Sequence, residues 1–319
     1  MDMKNERAQG CLLGQLAGDA LGSLVEFQSP EQIRRAYPDG VRDMADGGTH
    51  DTIAGQPTDD SEMALALARM LIARGSYDAG AAKQAYLGWL RSEPFDRGAT
   101  VIAGLTGEPN LDSQANGALM RISPLGIFGS RFDLSQVARW AVQDAELTHP
   151  HPICLQVNAL FAMALAQAIA TGAAPKELVG DMLAWAQDMD ADPLVFRVIK
   201  ACINEPPRDY HHHQGWVLIA FGNAVWQLLN APSLEDGIVD TVMRGGDTDT
   251  NAAICGALLG AVHGLSAVPE KWVKTVLACR PQTGLPGVRR PRPEIYWPGD
   301  ALELAERLAQ GPSSSVLNS

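Results

Sequence analysis

Residues 244–264 read RGGDTDTNAAICGALLGAVHG. Two aspartates, Asp247 and Asp249, stand one residue apart behind a pair of glycines, and an apolar, helix-like run follows at once. Within that run Gly256, Gly260 and Gly264 recur every four residues, and near the start of the chain Gly10, Gly14, Gly18 and Gly22 do the same. Glycine inside a helix costs about 0.5–1 kcal/mol relative to alanine. A four-residue spacing places such glycines on one helix face, where another backbone can approach closely. The pattern predicts two central helices, each packed tightly against a neighbour. The acids pose a separate question. At ~4 Å and an effective dielectric near ~20, two like charges repel by about 4 kcal/mol. A helix N-terminus offers only about half a charge in return.

The rest of the chain is also patterned for helices. SEMALALARMLIARG (61–75) carries apolar residues at helical spacing and stops at Gly75. Residues 81–92, 134–147, 154–172, 175–189, 215–230 and 299–311 read the same way. No run of β-branched residues bounded by turns demands a strand. The expected class is all-α. With no Pro/Gly/Ser-rich linker in between, the two Asp-rich stretches near opposite ends point to one domain over 1–310. The tail PSSSVLNS lacks periodicity, so 311–319 are expected to be disordered.

Composition narrows the function. Of 319 residues 46% are hydrophobic and 19% charged, which suits a globular protein with a large core. A net charge of -12 argues against phosphate-backbone binding, and so against a nucleic-acid partner. Five cysteines, an odd number without a CxxC pair, read as free thiols of a reducing compartment. The N-terminus MDMKNERAQG has no apolar signal core, and the apolar run around NALFAMALAQAIA reads as too short to span a bilayer. A cytoplasmic location without a membrane partner is expected.

A second acidic stretch, PTDDSEMAL (57–65), repeats the design of the first. Thr58 or Asp59 can cap the helix that follows, with Glu62 in its first turn. A cap needs one such residue, however, and GGDTDTN supplies four. Two acid–hydroxyl clusters, each opening a helix, match the oxygen donors that Mg²⁺, Mn²⁺ or Ca²⁺ require. Gly245 and Gly246 allow a sharp turn beside them. Residues 115–121, ANGALMR, read as a turn at Asn116 and Gly117 whose backbone N–H groups can cradle a diphosphate. The run His211–His213 reads as incidental, and Tyr210, Trp216 and Trp226 are the candidates to stack on a base.

Five stretches in order, GDALGSLVEF (18–27), PTDDSEMAL, NGALMRISPLG (116–126), LTHPHP (147–152) and RGGDTDTNAAICGALLGAVHG, together resemble the ADP-ribosylglycohydrolase family. The resemblance implies a compact, all-α orthogonal bundle. It implies hydrolysis of the glycosidic bond between ADP-ribose and a modified side chain, assisted by two divalent cations, Mg²⁺ or Mn²⁺. The implied metal ligands are Thr58, Asp59, Asp60, Asp247, Asp249 and Thr250. Glu26 matches a glutamate that approaches the metals as acid or base, a role Asp59 can share. Asp96, in PFDRGAT, resembles the aspartate that faces a leaving arginine, although Ala99 replaces the first threonine of that pattern. Asn116, Gly117, Ala118, Met120 and Arg121 fall in the loop for the distal ribose and phosphate, and His149 matches a ligand-side histidine. The implied partner is an ADP-ribosylated protein, the arginine adduct favoured. Serine-linked ADP-ribose, O-acetyl-ADP-ribose and nucleic-acid adducts remain alternatives, as does an immunity protein paired with a cognate ADP-ribosyltransferase.

Overall fold

The computed structural model describes residues 2–311, and fifteen α-helices run through them. In chain order these are α1 (Met3–Gly22), α2 (Pro30–Ala36), α3 (Asp59–Arg74), α4 (Ala79–Arg91), α5 (Ala99–Thr106), α6 (Ser123–Gly129), α7 (Leu134–Glu146) and α8 (Pro152–Thr171). There follow α9 (Pro175–Asp188), α10 (Pro193–Ala201), α11 (Val217–Asn230), α12 (Leu234–Val242), α13 (Thr248–His263), α14 (Glu270–Ala278) and α15 (Ala301–Gln310). The described residues contain no strand; two isolated bridges, Gly47 with Thr52 and Ala115 with Trp216, are all the β-type pairing among them. The all-α expectation holds. Each periodic run singled out in the sequence became a helix, and α3 ends at Gly75 in the left-handed conformation. The six helices not anticipated are short, seven to nine residues. At that length a helix owes its stability to tertiary packing, so periodicity gives it away poorly.

The two glycine-striped helices, α1 and α13, pack on each other. A Cβ on Gly14 would collide with the Gly256 carbonyl, one on Gly18 with the Ala252 carbonyl, and one on Gly22 with the backbone at Thr248 and Asp249. The register descends along α13 as it ascends along α1, so the pair is antiparallel. Gly264 departs from the stripe: it closes α13 at φ 81. Antiparallel contact sets the C-terminal end of α1 against the N-terminal end of α13. The sequence reading had each helix against some neighbour, and the structure makes them each other's.

The C-terminal segment closes over α3. Arg292 donates to both oxygens of Glu62, from Nε at 2.7 Å and Nη2 at 2.8 Å, and the Trp89 indole donates to the same carboxylate at 2.9 Å. Glu62, in the first turn of α3 as the sequence placed it, is one half of a buried ion pair. Arg69 pairs with Asp300 in a similar two-pronged way, at 2.7 and 2.9 Å.

One expectation fails on length. Helix α8 has 20 residues and a mean hydropathy of 1.8 over its most apolar window, enough to cross a bilayer by length and composition. In this fold 78% of that window is buried, and it serves as a core helix. All five cysteines are free and buried. The expected disordered tail lies outside the described residues, apart from Gly311.

The glycine contact makes a paired prediction. Gly256→Ala forces the α1–α13 backbones apart and lowers unfolding free energy by about 1–3 kcal/mol. Gly180→Ala, at an exposed position of α9 with open space around it, raises stability by about 0.5–1 kcal/mol. Urea denaturation of both variants checks the contrast. Equal responses would show that the stripe bears no steric load.

Candidate active site

Three chain segments meet where α1 ends and α13 begins. The chain leaves α1 through residues 23–28, and residues 27–28 pair with the Gly245–Gly246 turn: Phe27 N donates to Gly246 O at 2.7 Å and Gly246 N to Gln28 O at 3.0 Å. Both glycines have positive φ, 73 and 78, and a Cβ on Gly246 would strike the Tyr210 carbonyl, so the turn needs them. The Thr248 hydroxyl locks the junction by donating to Gly22 O at 2.7 Å.

The third segment is the start of α3, held by Asp19. This buried carboxylate accepts from Thr58 N at 3.1 Å, Thr58 Oγ1 at 2.9 Å and Ser61 N at 3.1 Å. It therefore does the capping that Thr58 and Asp59 were read as able to do. Thr58 occupies the cap position of α3, and Asp247 that of α13, yet neither side chain makes a cap hydrogen bond. Neither cap position thus consumes its cluster, although Asp60 Oδ2 accepts from Thr58 and Asp249 Oδ1 from Thr250 N.

A cavity of about 340 Å³ opens here. Glu26, Asp59, Asp96, Asp247 and Thr250 lie on its lining. Thr58, Asp60 and Asp249 are buried but off that lining. Asn116, Gly117 and Met120 supply the wall from the 115–121 loop, and His149 joins them. Asn116 ties loop to acids, its Nδ2 donating to Asp247 Oδ2 at 2.7 Å. Two residues of the expected set stand apart. Ala118 is buried without facing the cavity, and Arg121 is fully buried in an ion pair with Asp144 at 2.9 Å.

His50, which no motif marked, sits among the acids. Its Nε2 lies 2.5 Å from Glu26 Oε2 and 3.4 Å from Asp96 Oδ2. Potential ligand atoms of Glu26, His50, Asp96 and Asp249 all fall within 4.8 Å of one another. Asp19 was missed too, although an aspartate inside an apolar helix is a signal, since such groups are seldom buried unpaired. The sequence candidates for base stacking move away: Tyr210 is buried with its hydroxyl on Asn223 at 2.8 Å, and Trp216 donates to Gln114 at 2.9 Å. Neither they nor Trp226 line the cavity; Phe27 does, 53% exposed and at φ 65. Left-handed backbone is uncommon for so bulky a residue. His211–His213 stay outside, with His212 on Asp209.

The electrostatics are lopsided. Burial, then the neighbouring carboxylates, pushes Asp59, Asp60 and Asp249 well above the usual carboxyl range. Burial also raises Asp247, against hydrogen bonds from Asn116 and Thr250, and brings Asp19 to about 6. Glu26 reaches about 7, burial outweighing the His50 contact. Burial works against a charged His50, yet Glu26 and Asp96 outweigh it and raise its pKa. Among the described residues no lysine or arginine pairs with any of these acids. Asp60 Oδ1 is buried with no partner at all. A crowded set of hard oxygen donors, short of positive charge and with an orphaned carboxylate oxygen, fits divalent cations.

Comparison with known proteins identifies the family. A family model described as ADP-ribosylglycohydrolase matches residues 1–314. The chain is 30% identical to the ADP-ribosyl-[dinitrogen reductase] glycohydrolase of Rhodospirillum rubrum, over 84% of this chain and 90% of that protein. It is 29% identical to the ADP-ribosylarginine hydrolase Tri1 of Pseudomonas putida (strain GB-1), over 85% and 74%. It is 25% identical to the human ADP-ribosylhydrolase ARH3, over 83% and 88%. A solved structure titled "ADP-ribosylglycohydrolase-related protein complex" superposes with a TM-score of 0.78 at 28% identity, covering 97% of this chain and all of that one. The chain belongs to the ADP-ribosylglycohydrolase family. It is an enzyme, a hydrolase of ADP-ribose adducts.

The charge imbalance has a measurable sign. In EDTA, Asp60→Asn melts higher than the wild type, because one buried like charge is gone. With Mg²⁺ or Mn²⁺ added, the wild type gains melting temperature and the variant gains less. A variant that melts lower in EDTA would mean that the acids do not repel one another.

Proposed function

We propose that this enzyme removes ADP-ribose from arginine side chains of modified proteins, using two divalent cations, Mg²⁺ or Mn²⁺, held by Thr58, Asp59, Asp60, Asp247, Asp249 and Thr250. The observation that carries the reading is the meeting of buried carboxylates from three segments, unpaired with any arginine or lysine, at a cavity lined by further acids. Bound there, the cations would supply charge stabilisation and a water of lowered pKa.

The chain's own residues do the rest. Cleavage at the anomeric carbon passes through an oxocarbenium-like state, which nearby carboxylates stabilise. Glu26, raised to about 7, is suited to carry a proton at working pH, and Asp59 faces the same space. Asp96 is the least buried of the acids, with 26% of its side chain exposed on the cavity. A carboxylate there matches the two-pronged fork of a leaving guanidinium. In the 115–121 loop, Gly117 lines the cavity and its N–H donates to no acceptor among the described residues, which supports a phosphate contact there. A named arginine-directed relative supports the linkage. We further propose a cytoplasmic location, supported by five buried free thiols.

Incubating the protein with an ADP-ribosylarginine-modified protein, in Mg²⁺ and then in EDTA, tests the proposal through released ADP-ribose. Release is expected to require the metal. Asp247→Asn and Asp249→Ala are expected to lower turnover by about 10³-fold, equivalent to roughly 4 kcal/mol of transition-state stabilisation. Metal-independent release would remove the cations from the mechanism. Metal-dependent release from serine-linked adducts alone would remove arginine.

A further inference from the structure

Behind the cavity a histidine is wired to a buried ion pair. Arg121 Nε donates to Asp144 Oδ1 at 2.9 Å and its Nη2 to the Asp144 carbonyl at 2.8 Å. The other carboxylate oxygen accepts the Tyr86 hydroxyl at 2.9 Å. The remaining guanidinium nitrogen, Nη1, donates to Thr148 Oγ1 at 2.9 Å. Thr148 Oγ1 in turn lies 2.7 Å from His149 Nδ1. Asp144, Arg121, Thr148 and His149 are all fully buried. Arg121 and Thr148 therefore act on His149, and neither touches the cavity.

Counting protons assigns the tautomer. A threonine hydroxyl has one proton to give and can accept twice. Arg121 can only donate, so it takes an acceptor lone pair of Oγ1. If His149 Nδ1 also donated, the Thr148 proton would be buried with no acceptor, since Oγ1 has no other partner among the described residues. If Thr148 donates to Nδ1, both the Thr148 hydroxyl and His149 Nδ1 are satisfied. The imidazole proton then resides on Nε2. That nitrogen is buried without a protein partner, and the ring lines the cavity. A Cβ on Gly117 would stand 3.0 Å from Cε1 and 3.1 Å from Nε2, so a side chain there would crowd this edge of the ring.

We propose that Arg121 and Thr148 are positioning residues that hold His149 as the Nε2–H tautomer, so that this part of the cavity offers a fixed hydrogen-bond donor and accepts only an acceptor oxygen of the ligand. Taking that ligand as ADP-ribose rests on the function proposed above; the wiring does not. Burial and the Arg121 charge hold the His149 pKa at about 3, so the donor stays neutral over the working pH range. Arg121 thus serves the ligand through two intermediates, and not by the direct contact its loop position suggested.

Long-range heteronuclear NMR of histidine-labelled protein reads the tautomer directly, with His149→Asn identifying the signal. The wild type is expected to show the Nε2–H pattern from pH 5 to pH 9 (about four units across), and isothermal calorimetry with ADP-ribose reads the consequence. Thr148→Val, which keeps the shape and removes the hydroxyl, is expected to weaken ADP-ribose binding by about tenfold, and Thr148→Ser to restore it. An Nδ1–H pattern in the wild type overturns the proposal, whatever the variants do. So does Thr148→Val binding as tightly as wild type. An Nε2–H pattern in a protein that binds no ADP-ribose supports the wiring and overturns ADP-ribose as the occupant.

Discussion

The backbone-to-backbone contact between α1 and α13 is the constraint on which the rest depends. Four successive turns of α1 present glycine where α13 leaves no room for a Cβ. Because the helices run antiparallel, closeness along the stripe becomes registration at its end. Gly22 rests against the backbone of Asp249, and Glu26 is delivered to the acids that open α13. A larger side chain anywhere on the stripe would shift those groups together. Tight packing here fixes catalytic geometry as well as filling the core.

The site built on this contact works against stability. Asp19, Asp59, Asp60, Asp247 and Asp249 are buried within one region, and burial itself disfavours their charged forms. The fold offsets this with hydrogen bonds where it can. Asp19 receives three around the start of α3, and Asp247 one from Asn116. His50 stands between Glu26 and Asp96. Elsewhere the fold pairs its buried charges fully, as Arg121 with Asp144 and Arg292 with Glu62 show. The contrast between paired acids in the scaffold and unpaired acids at the cavity is what distinguishes a site from a structural network.

The legible part of the site was the part written locally. Thr58, Asp59 and Asp60, and Asp247, Asp249 and Thr250, announced themselves because each set falls within four residues and opens a helix. Helix capping was the competing explanation; the hydrogen bonds of Asp19 remove it at α3, and the lack of a side-chain cap bond from Asp247 removes it at α13. His50 carried no signal, because its partner Glu26 is 24 residues away and no spacing rule links a loop histidine to it. Arg121 carried a misleading one. It adjoins the cavity loop in sequence, but one turn onward its side chain points into the core and finds Asp144. Tyr210 and Trp216 are aromatic and near the site in the chain, yet their polar atoms are spent on Asn223 and Gln114.

By itself the sequence determined the helical class, the four-residue glycine stripes and the two acid–hydroxyl clusters. These are local properties: side-chain period, backbone freedom and the donor chemistry of adjacent residues. The tertiary structure alone decided which stripe meets which, and in what direction. It alone decided that Asp19 caps α3, that Glu62 finds Arg292 across 230 residues, and that Asn116 reaches Asp247 across 131. The physical reason is that burial and charge pairing depend on where a side chain ends up among distant neighbours, and a carboxylate has the same letter whether it is capped, paired or left for a cation.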